Sequence, residues 1–280
     1  MEKYLKKQFA IFALPTILAF ALAFGIPFLT GLYLSFCEFT TVTNAKFVGL
    51  DNYIKVFSDP NFINAFWFTV KVMLVSVLTV NIFAFLLALL LTQKLKGTNL
   101  FRTVFFMPNL IGGIILGYIW QSIINGVLVN FDMTMLMDSS YGFWGLIMVV
   151  NWQYIGYIMI IYIAGLQNVS TSVLEAADID GATSFQKVFR IKLPLIMTSI
   201  TIALFLTIAN SFKMFDQNLA LTNGGPGNQT SMLALDIYNT FYDTIGFEGV
   251  GQAKATIFFI VVASIAVIQV FITRRKEVEN

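Results

Sequence analysis

The sequence predicts an all-α membrane protein with six spanning helices, and three observations carry that prediction. The chain of 280 residues is 58% hydrophobic and only 11% charged, whereas a soluble domain carries about 25% charged residues. Six apolar segments are each long enough to cross a bilayer as a helix. Lysine and arginine are concentrated in alternate loops, as expected of a chain that crosses a membrane repeatedly.

The six apolar segments share spanning length and a near absence of charged residues. They are residues 9–36, 67–92, 104–124, 143–166, 195–215 and 255–272. Together they predict a single transmembrane domain over residues 1–280. The first segment has a basic flank and a small-residue pattern like a signal-peptide cleavage site, but its apolar run continues to Phe36. We therefore expect a retained membrane anchor.

The basic residues predict that both termini lie in the cytoplasm. The N-terminus, the loops 94–102 and 175–194 and the C-terminal tail are basic, while the loops 126–142 and 217–251 contain acidic residues and no cation. Because basic loops stay on the cytoplasmic side, the long loop 170–194 is expected to face the cytoplasm.

Composition also excludes several kinds of chemistry. The chain has no histidine and one cysteine, which excludes histidine-dependent catalysis, histidine-ligated metals and a disulfide within the chain. It contains no Gly-x-x-x-x-Gly-Lys-Ser/Thr sequence, the pattern of a loop that cradles nucleotide phosphates. We expect no enzymatic activity, no metal or other cofactor, and no nucleic-acid partner.

The second span has two polar residues that call for different explanations. Lys71 is near its outer end, and we expect its amine to extend toward the interface. Asn81 is deeper and is expected to bond a neighbouring helix.

The cytoplasmic loop predicts a helix, a turn and a second helix. Ser172 with Glu175, and Thr183 with Gln186, have the spacing of capping boxes that start helices. Gly181 supplies a permissive backbone between them, and Pro194 marks the end of the second helix. The residues alone leave two interpretations open, an ordinary amphipathic loop and a rigid docking element.

A sequence pattern then favours the docking element. Glu-Ala-Ala from Glu175, three residues, Gly181, nine residues, Ile191, one residue and Leu-Pro resembles the EAA loop of ABC-importer permeases. In that family the loop is cytoplasmic and carries a coupling helix that docks on the ATPase. The resemblance implies that the docking residues are Glu175, Ala176, Ala177, Asp180, Gly181, Ala182, Phe185 and Phe189. One departure is Val188, where the family commonly has an aromatic residue; Phe189 stands beside it.

Two further motifs extend the resemblance over nearly the whole chain. Residues 47–53, Phe-Val-Gly-Leu-Asp-Asn-Tyr, and the Thr-x-Gly-Gly-Pro sequence of residues 222–226 are similar to segments of carbohydrate-importer permeases. From the residues alone, an interfacial helix is the favoured explanation of the first motif, and an external turn explains the second. The resemblance implies a type I ABC importer permease bundle with a cytoplasmic coupling-helix loop.

Polar and aromatic residues in the fourth and fifth spans are candidates for a solute site. Tyr and amide side chains at 151–157 are explained equally well by an interfacial belt and by a wall that faces a sugar. Lys213 and Asp216 are three apart, so on one helix they would neutralise each other. The resemblance to maltose-type permeases favours the solute site, although residues 210, 211 and 214 depart from the maltose pattern. The expected substrate-binding residues are Gln153, Tyr154, Tyr157, Asn210, Ser211, Lys213, Met214 and Asp216.

The resemblance implies a membrane-spanning subunit of an ATP-driven sugar importer in the bacterial cytoplasmic membrane. Its expected partners are a second homologous permease subunit in a heterodimer, two ATP-binding cassette ATPase subunits, an extracytoplasmic sugar-binding protein and membrane lipid. Alternating access would be driven by the separate ATPases through the loop 175–194.

Two alternatives remain at this point. An ABC permease for a sugar phosphate or another solute is one, because Lys213 could pair with an anion. The other is an ion-driven secondary transporter, which would require intramembrane acids and repeated halves. The spans contain one acidic residue, Asp216, and no repeat of the loop motif.

Overall fold

The structure is a computed structural model that describes residue 9, residues 13–93 and residues 96–275. The basic N-terminus, Lys94 and the end of the C-terminal tail, on which the predicted orientation partly depends, lie outside the described residues. The helices are α1 (Ala13–Leu34), α2 (Asp51–Phe57), α3 (Pro60–Leu91), α4 (Thr98–Phe106), α5 (Gly113–Phe131), α6 (Ser139–Gln167), α7 (Thr171–Ile179), α8 (Ser184–Leu195), α9 (Met197–Phe212), α10 (Phe215–Leu221), α11 (Leu233–Tyr242) and α12 (Glu248–Arg274). The strands β1 (Cys37–Glu38) and β2 (Lys46–Phe47) form a short antiparallel pair.

Among the described residues, five helices are long and apolar enough to cross a membrane, and the count is six if one bent pair of helices is taken as a single span. The five are α1, α3, α5, α6 and α12, and the pair is α8 with α9, which meet at 75°. The predicted fourth span coincides closely with α6. Helices α3 and α12 begin at Pro60 and Glu248, ahead of the predicted starts at residues 67 and 255, because hydropathy marks only the apolar part of a helix.

The third predicted span, residues 104–124, is interrupted in the structure. Helix α4 ends at Phe106, a 3₁₀ turn covers Met107–Leu110, and α5 begins only at Gly113 after extended backbone at Gly112. Pro108 lies within the interruption, where its missing amide and fixed φ favour a break in the helix. Residues 104–106 therefore belong to a separate short helix.

The described residues pack as two compact units, one of the residues up to Pro60 with Ile237–Phe259, the other of Asn61–Asp236 with the residues from Ile260 onward. In the first unit, the motif of residues 47–53 ties α2 to the end of α1. Asn52 donates from Nδ2 to the carbonyls of Ser35 (3.0 Å) and Cys37 (2.9 Å). The Tyr53 hydroxyl lies 2.6 Å from Ser35 Oγ. This motif has a structural role.

A buried ion pair also stabilises the first unit. The Lys254 side chain is 1% exposed, and its Nζ lies 2.7 Å from Asp59 Oδ2 and 2.9 Å from Thr240 Oγ1. A buried cation must be paired in this way, because an uncompensated charge in a low-dielectric interior costs several kcal/mol.

In the second unit, one asparagine links three long helices. Asn81 of α3 accepts at Oδ1 from the Tyr162 hydroxyl of α6 (2.7 Å) and donates from Nδ2 to Thr207 Oγ1 of α9 (3.2 Å). The prediction that Asn81 bonds a neighbouring helix is confirmed. Because bonds between helices have few competing partners in hydrocarbon, Asn81 fixes how these helices pack.

Glycines set the closest helix contacts of the second unit. A Cβ atom at Gly156 of α6 would overlap the backbone carbonyl of Phe105 in α4, and one at Gly117 of α5 would overlap the Ala220 side chain of α10. Such small residues allow helix backbones to approach closely.

The first turn of α6 is capped by Asp138. Its Oδ1 accepts from the Ser140 amide at 2.7 Å and from the Ser140 hydroxyl at 2.6 Å. These hydrogen bonds favour the ionised carboxylate and lower the pKa of Asp138 below its usual value.

Candidate functional site: the knob and a buried polar cluster

The loop between α6 and α9, here called the knob, consists of α7, a tight turn and α8. Gly181 has a φ of +73°. Its amide donates to the Asp178 carbonyl at 3.1 Å, and the Ala182 amide donates to the Ala177 carbonyl at 2.9 Å. These two bonds form a Schellman motif, which ends a helix at a left-handed residue. The predicted helix–turn–helix is therefore present, with Gly181 at its corner.

The start signals predicted for the two knob helices have different outcomes. The capping box at α8 is present: the Thr183 amide donates to Gln186 Oε1 (2.7 Å) and the Gln186 amide to Thr183 Oγ1 (3.3 Å). The box predicted from Ser172 and Glu175 is wrong. Helix α7 begins after Ser170, and the Ser172 hydroxyl contacts Ser170 Oγ at 2.7 Å instead.

A single ion pair braces the two helices of the knob. Lys187 Nζ of α8 lies 2.6 Å from Asp178 Oδ1 of α7. The pair joins the acidic helix to the basic one, as their opposite charges favour, although solvent screens pairs at this degree of exposure. Its main effect is therefore on the angle between the helices.

The knob presents apolar side chains to the outside. Ile179 is 88% exposed, Phe185 is 70% exposed and Phe189 is 51% exposed. The rings of Phe185 and Phe189 lie 4.3 Å apart between centroids. Exposed apolar groups clustered on a charged segment are typical of a surface that binds a protein partner.

The predicted docking residues are mostly accessible on the knob. Glu175, Ala176, Asp180 and Gly181 are exposed, Ala182 is half-buried, and Ala177 is buried within the knob. Sequence reasoning missed Ile179, the most exposed apolar side chain of the knob. Its signal is an isoleucine placed between two aspartates.

Beyond the knob, helix α8 contains a π-helical stretch, Lys187–Lys192, just before Pro194. The chain then bends by 75° at Ile196 and continues as α9. A proline ring crowds the carbonyl four residues earlier and removes one amide donor, which accounts for a wider turn at this place. The knob and the fifth span are thus joined through one bent helical segment.

One of the candidate solute-binding residues, Gln153, is paired with a second glutamine. Gln217 of α10 donates from Nε2 to Gln153 Oε1 of α6 at 2.8 Å, and Gln153 Nε2 lies 3.4 Å from the Ile111 carbonyl. Both glutamines are buried. Sequence reasoning included Gln153 but not Gln217, although Gln217 closes the polar interruption of the fifth span.

The remaining candidates differ in exposure. Tyr154 and Tyr157 are half-buried against the hydrophobic core, and Asn210 is half-buried. Ser211 is 1% exposed, and within the described residues its hydroxyl has no hydrogen-bond partner. Met214 packs inside the core. Their role in binding a solute stays a prediction.

The predicted ion pair between Lys213 and Asp216 is wrong. Helix α9 ends at Phe212, and Met214 adopts φ −73° and ψ 63° before α10 begins at Phe215. The two residues therefore do not share a helix face. Both side chains are exposed, and no ion pair joins them in the part of the chain that the structure describes.

The Thr-x-Gly-Gly-Pro loop has a structural role. We name Asn218 together with residues 222–232 the clasp. Asn218 donates from Nδ2 to Thr222 Oγ1 (3.1 Å) and to the Thr230 carbonyl (2.8 Å), and its Oδ1 accepts from the Met232 amide (2.8 Å). Thr230 Oγ1 donates to the Gly225 carbonyl at 2.6 Å. These side chains are buried and mutually satisfied, so the motif fixes the loop.

No group of three or more His, Cys, Asp or Glu residues that could hold a metal ion occurs among residues 13–93 and 96–275.

Comparison with known proteins identifies the family. Residues 9–278 match the family described as binding-protein-dependent transport system inner membrane component. The chain is 42% identical over 277 residues to the probable starch degradation products transport system permease protein AmyD of Thermoanaerobacterium thermosulfurigenes, covering 96% of this chain and 94% of that protein. It is 31% identical over 265 residues to the multiple sugar-binding transport system permease protein MsmF of Streptococcus mutans, covering 91% of each.

The fold also matches a solved transporter. A chain of a bacterial ABC transporter involved in the import of the acidic polysaccharide alginate superimposes with a TM-score of 0.82 at 21% sequence identity, covering 98% of both chains. The predicted permease fold, with its helical spans and knob, is confirmed. This chain belongs to the family of binding-protein-dependent transport system inner membrane components, and is a multi-pass transport subunit of the ABC importer class.

Proposed function

We propose that this chain is a transmembrane subunit of an ATP-driven sugar importer. The observation that carries the proposal is 42% identity over 96% of the chain to a permease protein named for starch degradation products. The buried Gln153–Gln217 pair and the half-buried tyrosines of α6 agree with it. Amides bond sugar hydroxyls without adding charge, and aromatic rings pack against the apolar faces of sugars.

The energy source is a separate ATPase that binds the knob. The exposed Ile179, Phe185 and Phe189 provide an apolar surface for that partner, and the chain has no phosphate-binding loop of its own. The knob runs into the fifth span through one bent segment. A displacement of the knob would therefore move α9 and the polar residues at its end, which is alternating access by a rigid-body movement.

This assignment sets the orientation and the remaining partners. The knob and both termini face the cytoplasm, and the clasp faces outward. An extracytoplasmic sugar-binding protein delivers the solute, and the description of the matched family as binding-protein-dependent supports such a partner. A second homologous permease subunit forms a heterodimer with this chain, and two ATPase subunits complete the importer.

The test is transport by the assembled importer in proteoliposomes. Tyr157→Ala and Asn210→Ala should each raise the KM for uptake of labelled maltooligosaccharides, while the ATPase and the second permease still copurify. Tyr33→Ala is the matched control, because Tyr33 is an exposed tyrosine of α1 away from these residues in the chain. Unchanged KM values in both variants would remove α6 and α9 from the solute site.

A further variant separates neutral sugars from sugar phosphates. Lys213 is exposed and makes no ion pair among the described residues. Lys213→Gln should reduce uptake of a neutral oligosaccharide only slightly, because glutamine keeps a hydrogen-bond donor at this position and removes only the charge. Loss of uptake of a sugar phosphate in this variant, with no neutral sugar transported by the unmodified importer, would contradict the proposal.

A further inference from the structure

A cavity of about 410 Å³ lies between the first half of α3 and the beginning of α6, at the ends of these helices remote from the knob. Its lining combines aromatic, amide and hydroxyl side chains around one cation. The lining residues that matter here are Asn64, Trp67, Lys71, Ser140, Trp144 and Gln229. A gap left by imperfect packing between helices is lined by apolar side chains, and the lining of this cavity is much more polar.

Lys71 is the charged group of the cavity. Its side chain is exposed, no acidic residue lines the cavity, and in the described residues no carboxylate pairs with it. Asp138, the nearest acid in the chain to the lining serine, is engaged with the amide and hydroxyl of Ser140. A cation held among aromatic and hydroxyl groups without a counter-ion favours an anionic ligand.

The depth of Lys71 in the membrane follows from helix geometry. Helix α3 ends at Leu91, whose carbonyl accepts from Arg102 Nη2 at 3.0 Å. Twenty residues at 1.5 Å each place Lys71 about 30 Å from that end, which is the thickness of the hydrocarbon core. The Lys71 amine therefore lies at the level of the opposite lipid headgroups.

Two tryptophans at the cavity agree with that depth. Trp67 and Trp144 are each more than half exposed. Tryptophan is enriched at the boundary between the hydrocarbon and the headgroups. The cavity thus opens at the interface, where a lipid headgroup is the most concentrated anion.

We propose that this cavity binds the headgroup of an anionic phospholipid of the phosphatidylglycerol type. The phosphodiester would pair with the Lys71 ammonium and accept from the hydroxyl of Ser139, which also lines the cavity, because both donors of Ser140 already bond Asp138. Asn64 uses its Nδ2 to donate to the Asn228 carbonyl at 2.9 Å, which leaves its Oδ1 to accept from a glycerol hydroxyl. With the knob in the cytoplasm, as proposed above, this lipid belongs to the outer leaflet. Only that choice of leaflet rests on the proposed function.

The test measures lipid retained by the full chain, copurified with its partner subunits in mild detergent, by native mass spectrometry. The unmodified protein should retain phosphatidylglycerol in preference to phosphatidylcholine. Lys71→Gln should reduce the retained phosphatidylglycerol at least about tenfold, because it removes a hydrogen bond between two charged groups. Lys71→Arg should preserve it. Gln229→Ala, at an exposed position, should reduce it about twofold and serves as a second variant.

The matched control is Lys55→Gln, since Lys55 is an exposed lysine outside the cavity. Equal retention of the two lipids by the unmodified protein would overturn the proposal, as would equal losses in Lys55→Gln and Lys71→Gln. Displacement of the lipid by inorganic phosphate at millimolar concentration would assign the cavity to free phosphate anions instead. Because retention is measured without transport, failure of this proposal is distinguishable from failure of the proposed import function.

Discussion

The knob and the clasp each contain a motif that resembles ABC permeases, yet they are built in opposite ways. In the knob, Ile179, Phe185 and Phe189 are turned outward, and the side-chain hydrogen bonds lie at exposed positions. In the clasp, Asn218 and its partners are buried and each bonds several others. The knob motif therefore fits a surface that another protein completes, whereas the clasp motif completes itself.

The glycines of the two regions show the same difference. Gly181 and Gly224 have similar backbone angles, with φ of +73° and +77°. A Cβ atom at Gly181 would meet nothing within 4 Å, whereas one at Gly224 would lie 3.2 Å from Ser231 Cβ. Gly181 is required only by the turn, and the open space beside it is available to a partner. The following predictions run from the largest expected loss of folding free energy to the smallest.

Asn218→Leu should cause the largest loss of folding free energy. It leaves the Met232 amide and the Thr230 carbonyl buried without their hydrogen-bond partner. Each such group costs about 1–3 kcal/mol, so we expect a loss of about 2–6 kcal/mol in total. Thermal unfolding of the detergent-purified protein, followed by size-exclusion chromatography, measures it. Asn130→Leu is the control, since the Asn130 amide bonds only carbonyls of its own helical turn. An Asn218 variant as stable as this control would show that the clasp does not hold the fold.

Gly156→Ala should cost about 1–3 kcal/mol, because the added Cβ would overlap the Phe105 carbonyl. Gly126→Ala is the control: the helix there has no neighbour within 4 Å of the new Cβ. That change should be neutral or stabilising by up to about 1 kcal/mol, since alanine is the better helix former. The melting temperature should thus fall in the Gly156 variant and stay the same or rise in the Gly126 variant. Equal shifts would contradict the contact between α4 and α6.

The gross fold follows from the sequence because hydropathy and charge act over whole segments. Hydropathy over a whole segment made the fourth span predictable. Local spacing made the Thr183–Gln186 capping box predictable, and the cost of an unsatisfied polar group in hydrocarbon made the bond of Asn81 predictable. Neighbouring elements do not need to be known.

The breaks in the helices did not follow from the sequence. The interruption at Met107–Leu110 occupies only a few residues within a long apolar run, so a hydropathy average passes over it. The turn at Met214 lies in the polar stretch of residues 210–217, whose composition does not tell at which residue the helix ends. The predicted Lys213–Asp216 pair is wrong for this reason: helical spacing has no meaning across a turn. Exposure of Ile179 likewise depends on which face of α7 the tertiary structure covers.

Tyr162→Phe should have a smaller effect than either change above. It removes the hydroxyl that donates to Asn81 Oδ1, and hydrogen bonds between membrane helices contribute about 0.6 kcal/mol on average. Tyr118→Phe, at an exposed tyrosine of α5, is the control and should be neutral. A loss above about 2 kcal/mol would mean that Asn81 organises the bundle more strongly than a single interhelical bond.

Ile179→Ser should change the free energy of unfolding least, by less than about 0.5 kcal/mol, because an exposed side chain loses no packing. Its effect should appear instead in copurification of the ATPase and in ATP-driven uptake, both of which we expect to fall about tenfold as an anchor of the apolar surface is removed. Ile245→Ser is the matched control, since Ile245 is 91% exposed but lies outside the knob. Normal ATPase binding in the Ile179 variant, or an equal loss in the Ile245 variant, would mean that exposure alone does not mark the docking surface. The knob would then be only a well-capped loop, and the contrast with the clasp would concern folding alone.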